Sequence, residues 1–180
     1  MVSKDENHQS NGLSIGQLLR SLTASKDPKD HNRILRKLED VGGDEVYEGL
    51  LKLLNVRRGE LRYRVLDFLT GINPNRAQHL LIEVLNNDQD SDMRWVASGL
   101  LINVATAEIL IPLTEALLNH PDVRVRVNIV TALDKLGDKK ALPALMHTRD
   151  YDTGKTKDGY SVRILAERAI QRIEDHARGQ

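Results

Sequence analysis

The chain of 180 residues contains no cysteine. Neither a disulfide nor a thiolate–metal site can form, and a reducing compartment suits it. Aromatic residues are scarce, with one Trp, one Phe and four Tyr, so the core must be built from Leu, Ile, Val and Ala. Neither sign of charge is in excess: 26 Lys and Arg balance 26 Asp and Glu. That balance argues against a dedicated nucleic-acid binder, which carries a basic surplus. No apolar run approaches the ~18 residues that span a bilayer. The opening residues MVSKDENHQSNG have none of the apolar core of a secretory signal. The expectation is a cytoplasmic chain with no membrane partner, long enough for one domain with a sizeable core.

What the chain does contain is a period. LRYRVLDFLTGI from Leu61, MRWVASGLLINV from Met93, VRVNIVTALDKL from Val125 and VRILAERAIQRI from Val162 align with one another. Each opens on an apolar residue followed by Arg: Arg62, Arg94, Arg126 and Arg163. Counting the apolar residue as offset 0, offsets 4, 8 and 11 are apolar in all four, and offset 7 is Phe, Leu or Ala. The starts lie 32 residues apart twice and then 37 apart. A weaker copy, DHNRILRKLEDV, begins at Asp30. Between these run DEVYEGLLKLLN, NRAQHLLIEVLN, AEILIPLTEALLN and KKALPALMHT, with apolar residues at the three-and-four spacing of a helix. Asp122, Ser91 and Ser161 are candidate N-caps. Pro143 fits a first helical turn, whereas Pro112 is expected to kink its helix. The pattern predicts an all-α chain of paired antiparallel helices. LSIGQLLRSL supplies the first helix of the first pair, and the pairs number about five. Residues 1–12 are expected to be a polar, flexible tail, 13–176 one solenoid domain, and 177–180 a C-terminal tail.

HPDVRVRVNIVTALDKLGDKKALPALM, residues 120–146, resembles a HEAT repeat of the bacterial type also found in phycobilin lyases. The residues that carry the resemblance are Asp122, Val125–Arg126, Ala132–Leu133, Leu136–Gly137–Asp138 and Ala141–Leu142–Pro143. Residues 88–118 depart from that pattern, with Met93 in place of Val and no Gly-Asp, and the earlier copies match in spacing alone. The resemblance implies an α-solenoid. Stacked neighbours there bury what a single helix pair cannot, so about three or more repeats are needed.

The five-residue excess in the last step falls within RDYDTGKTKDGYS, residues 149–161. A phosphate-binding P-loop needs an upstream Gly and a preceding strand, and this stretch has neither. An EF-type calcium loop needs Gly at its sixth position and a carboxylate at its twelfth. Counted from Asp150, those positions hold Lys155 and Ser161. The segment is therefore expected to be an enlarged, solvated loop that binds neither metal nor nucleotide. The six histidines lie far apart, and no His-Glu dipeptide exists. That sets the chain apart from the deoxyhypusine hydroxylases, a similar HEAT-like class that uses His-Glu pairs to hold iron. No metal and no cofactor is expected. The aligned arginines are expected to pair with acidic groups of the adjacent repeat. Arg57, Arg58, Arg62 and Arg64 form the sharpest basic cluster, and HEAT-like DNA glycosylases keep nucleic acid or phosphate binding there as an alternative.

Helix phase points to a site. Offset 2 faces away from the core offsets at 100° per residue. On successive second helices it is Asn32, Tyr63, Trp95, Val127 and Ile164, and Ile102 faces outward at offset 9. The resemblance places second helices on the concave face of an array. The expected site is centred on Tyr63, Trp95, Ile102 and Val127, with Asn128, Thr131 and Ile164 at its margin and a notch at Gly99. The leading reading is a non-catalytic scaffold module, a monomer or weak oligomer, that binds a protein or peptide. The alternative implied by the resemblance is a phycobilin-lyase-like protein that handles a chromophore.

Overall fold

The computed structural model describes residues 13–55 and 59–178. The expected tail 1–12 lies outside them, as do Arg57 and Arg58 of the basic cluster. Ten α-helices make up the described chain. Its only β-type pairing is an isolated bridge between Lys155 and Ser161. The chain divides into two compact units, residues 1–61 and 62–180.

The first unit contains α1 (Ile15–Ala24), α2 (Pro28–Val41) and α3 (Gly43–Leu53). A capping box opens α1. Ser14 Oγ accepts from the Gln17 amide at 3.3 Å, and Gln17 Oε1 accepts from the Ser14 amide at 2.8 Å. Asp27 caps α2, and Pro28 stands where its missing N–H is harmless. The core is Leu18, Leu22, Ile34, Leu35, Leu38, Val46, Tyr47 and Leu50. Gly49 lets α1 press against α3, since a Cβ there would stand 2.4 Å from Leu19 Cδ1.

The second unit holds α4 (Gly59–Ile72) from Arg62 onward, α5 (Pro74–Asn87), α6 (Ser91–Val104), α7 (Leu110–Asn119), α8 (Val123–Leu136), α9 (Leu142–Tyr151) and α10 (Val162–Arg178). Short 3-10 turns, Ala107–Ile109 and Lys139–Ala141, lead into α7 and α9. The pairs α5–α6, α7–α8 and α9–α10 pack internally, and α8 lies between α6 and α10. The expected solenoid of helix pairs is therefore the observed one.

Offsets 0, 4 and 8 are buried as the sequence predicts: Met93, Ala97 and Leu101 on α6, and Val125, Ile129 and Leu133 on α8, are each 0% exposed. Offset 11 is not core throughout. Ile72, Val104 and Leu136 are half-buried at helix ends, and Val41 is exposed. Offset 5 joins the core instead, with Leu66, Ser98 and Val130 buried. A helix that packs against neighbours on two sides buries a wider stripe than one that covers a single face.

Two smaller expectations are corrected. The N-cap of α6 is Asp90 rather than Ser91: Asp90 Oδ1 accepts from the Asp92 amide at 2.9 Å, and Ser91 is the first helical residue. Pro112 is the third residue of α7. Its missing N–H therefore falls among the first-turn donors that lack an intrahelical partner, and the reason for expecting a kink disappears. Asp122 caps α8 as predicted, and Pro143 lies in the first turn of α9.

Candidate functional site

The aligned arginines are structural ties. Arg62 pairs with Asp88, and Arg126 grips Asp152 through Nε–Oδ2 at 2.7 Å and Nη2–Oδ1 at 3.0 Å. Both acids lie 26 residues after their arginine, at the C-caps of α5 and α9. Arg94 donates to the Asp88 carbonyl at 2.6 Å, and Arg126 Nη1 to the His120 carbonyl at 2.9 Å. One rigid guanidinium fork on α8 thus joins the ends of α7 and α9. Arg163 donates to the Asp150 carbonyl at 3.0 Å. Of the expected basic cluster, Arg62 is committed to this row.

The row also fixes the insertion loop that runs from Asp152 to Ser161. Asp152 Oδ1 accepts from the Gly154 amide at 2.7 Å, and the Gly154 carbonyl accepts from Val162 at 3.1 Å. Burial pushes the Asp152 carboxyl up, but the Arg126 guanidinium and the Gly154 amide overcome this and hold it below its ordinary value. A Cβ on Gly154 would stand 2.5 Å from Arg126 Nη2 and 2.8 Å from Val123 Cγ2. The glycine of the Gly-Lys-Thr sequence therefore permits close approach to α8. Beyond it the chain turns back on itself. The Thr156 amide donates to the Tyr160 carbonyl at 2.9 Å, and Gly159 takes φ +92°, which favours glycine.

This loop is one wall of a cleft of about 640 Å³. The other wall is Trp95 on α6 with Asp122, Val123, Arg124, Val127 and Asn128 at the start of α8. Trp95 is 44% exposed. The Arg124 guanidinium carbon lies 5.5 Å from the indole centroid, within cation–π range. Arg124 is held there by Asp122 at 2.8 Å and Asp92 at 3.1 Å. The hydrogen bonds from Arg124 keep the Asp122 carboxyl below its usual range.

The structure brings Trp95, Val127 and Asn128 together at the cleft. Tyr63, Ile102, Thr131 and Ile164 do not line it. The Tyr63 hydroxyl donates to Asp90 Oδ2 at 3.2 Å, tying α4 to the cap of α6. Partial burial, and then the Asp90 carboxylate, raise its pKa. Ile102 and Thr131 are half-buried, and Thr131 Oγ1 donates to the Val127 carbonyl at 2.9 Å. Ile164 is exposed on α10. A Cβ on Gly99 would meet Asn128 Nδ2 at 3.6 Å, so the expected notch is where α8 approaches. The sequence reading missed Arg124, which covers the indole, and Lys155, Lys157 and Tyr160, which face it across the cleft. The only signal for these three was the five-residue excess.

Among the described residues no three His, Cys, Asp or Glu stand together as a metal site, and no helix is long and apolar enough to cross a membrane. A comparison with curated proteins finds no match. The family model for HEAT repeats matches residues 80–171, from α5 to α10 and about half of the 180-residue chain. Together with the paired helices and their 32-residue step, this match shows that the chain belongs to the HEAT-repeat family.

Proposed function

We propose that the protein is a non-catalytic interaction module that binds a protein or peptide partner on the face of α6 and α8. Trp95, Val127 and Asn128 form the centre, and Tyr63, Ile102, Thr131 and Ile164 the surroundings. HEAT repeats generally serve as protein-interaction scaffolds, and the family is typically non-catalytic. The observation that carries the reading is Trp95: the only tryptophan of the chain stands exposed and lines a cleft of about 640 Å³. Energetic anchors at interfaces are enriched in Trp and concentrate in pockets near the interface centre.

Quantitative capture from a cell extract on immobilised wild-type protein and on Trp95→Ala tests it. The substitution is expected to weaken a direct partner by ~2 kcal/mol or more, about 30-fold in affinity, while melting stays close to wild type. Equal capture by both proteins would contradict the reading.

A further inference from the structure

A buried histidine stands behind the cation that covers Trp95. His120 is the C-cap of α7 and is 8% exposed. Its Nδ1 accepts from the Asp122 amide at 3.1 Å, so the ring proton sits on Nε2 and the ring is neutral. Asp122 in turn accepts from the Arg124 amide at 2.8 Å and from the Arg124 guanidinium, through Nη2–Oδ2 at 2.8 Å and Nε–Oδ2 at 3.2 Å. That guanidinium lies over the indole of Trp95, 5.5 Å from the ring centroid. A chain of direct contacts thus runs from His120 through Asp122 and Arg124 to the exposed tryptophan.

Each element packed around His120 presents polar or charged groups to it. From α6 comes Arg94, and from α5 the Leu85 backbone, which hydrogen-bonds to the ring. The Asp88 cap of α5 lies behind Arg94, to which its carbonyl is bonded. From α8 come Asp122 and Arg126, and from α9 and the residue after it His147, Tyr151 and Asp152, which line one cavity with His120. Asp88 is taken by Arg62, and Asp152 by Arg126. Asp122 differs from them, because its arginine has a second acid, Asp92, at 3.1 Å. Burial first, then the Arg94 charge, holds the His120 pKa below 6.5 against the pull of Asp122. The attraction is mutual, since a charged His120 favours the Asp122 carboxylate.

With Nε2 already protonated, the proton that His120 takes up in acid goes to Nδ1. Nδ1 then meets the Asp122 amide donor to donor, and that hydrogen bond is lost. The group that can accept from it is the carboxylate of the same residue. We propose that His120 is an acid-operated latch on the Trp95 face: once charged, it draws the Asp122 carboxylate away from Arg124, and the guanidinium leaves the indole. Arg124 then keeps Asp92, whose side chain is 58% exposed, and an exposed pair holds a long side chain weakly. The indole is covered at neutral pH and uncovered in acid, whatever partner the face of α6 and α8 binds.

The test needs no partner, because Trp95 is the only tryptophan. Acrylamide quenching of its emission is followed on the full chain from pH 7.5 down to about 5, a range that brackets a depressed histidine. Quenching should stay level above pH 6.5 and rise below it in one single-proton step, while far-UV circular dichroism stays unchanged. The midpoint should coincide with that of the His120 ring followed by NMR. Arg124→Met should quench at the raised level at every pH, and its excess over wild type at neutral pH should equal the height of the wild-type step. His120→Gln should stay at the low level throughout. If that variant does not fold, Arg124→Met and the ring titration decide alone. A flat wild-type profile, a step that survives either substitution, a midpoint apart from that of the ring, or a step that coincides with loss of helix overturns the proposal.

Discussion

Replacing Asp152 by Ala tests whether the arginine row holds the repeats together. In the native protein the Arg126–Asp152 fork is mostly buried, the two side chains being 16% and 12% exposed. Hydrogen bonds to charged groups contribute about 1.5–3 kcal/mol each. Removing one partner of a buried pair costs about 3–5 kcal/mol when the other is left stranded. Arg126 is not stranded, because Nη1 keeps the carbonyls of His120 and Pro121 at 2.9 and 3.0 Å. The expected cost is therefore about 2–3 kcal/mol, and at ~2–4 °C per kcal/mol for a chain of this size the Tm falls by about 4–12 °C. A double-mutant cycle with Arg126→Met should return a coupling of ~1–2 kcal/mol. Amide exchange at Gly154 and Val162 should accelerate, since the loop loses its anchor. The sign of the pH dependence follows from the depressed Asp152 pKa. The stabilisation is complete above the ordinary carboxylate value of 3.8 and is lost as pH falls through the folded-state value. Coupling below ~0.3 kcal/mol, within the error of additive sites, would refute the structural role of the row.

Gln78 and His120 give two more tests. Gln78 is 0% exposed, donates to Glu108 at 3.0 Å and accepts from the Thr106 amide and hydroxyl at 3.2 and 2.9 Å. Gln78→Leu leaves the Thr106 donors without that acceptor, so denaturant unfolding should show a loss of about 1–3 kcal/mol; an unchanged midpoint contradicts the role. Burial holds the His120 pKa below 6.5, and the Asp122 amide donates to its Nδ1 at 3.1 Å, which requires that nitrogen to be unprotonated. Its contribution is present above pH 6.5 and is lost as pH falls through the folded-state value, because the unfolded chain takes up the proton first. Between pH 7.5 and 5.5, roughly a unit either side of a free histidine, wild-type stability should fall more steeply than that of His120→Gln. Parallel slopes would exclude His120 as the cause.

The fold was legible because the repeat writes its core at fixed offsets. Met93, Val125 and Val162 recur at offset 0, and Leu69, Leu101 and Leu133 at offset 8, each 0% exposed. Such periodicity reports burial without knowledge of any partner. The site was legible only in part. Trp95 and Val127 follow from helix phase, since a residue opposite the core faces outward whatever surrounds it. Tyr63 obeys the same phase, yet its hydroxyl is drawn to Asp90, a residue of the next repeat's cap. The Arg126–Asp152 contact spans 26 residues and reaches a helix end rather than the loop beside it. No local pattern marks such a pairing. The second wall of the cleft depended on how Asp152 and Gly154 fold the insertion back onto α8, a consequence of close packing rather than of motif.

Trp95 is the only tryptophan, so its emission reports the centre of the proposed site without labelling. The most direct measurement is a titration of that emission, with acrylamide quenching, against the partner recovered by capture. If the partner seats on α6 and α8, the indole leaves water: emission shifts to the blue and quenching falls as the complex forms. Saturable binding with emission and quenching both unchanged would place the partner elsewhere on the molecule and contradict the account.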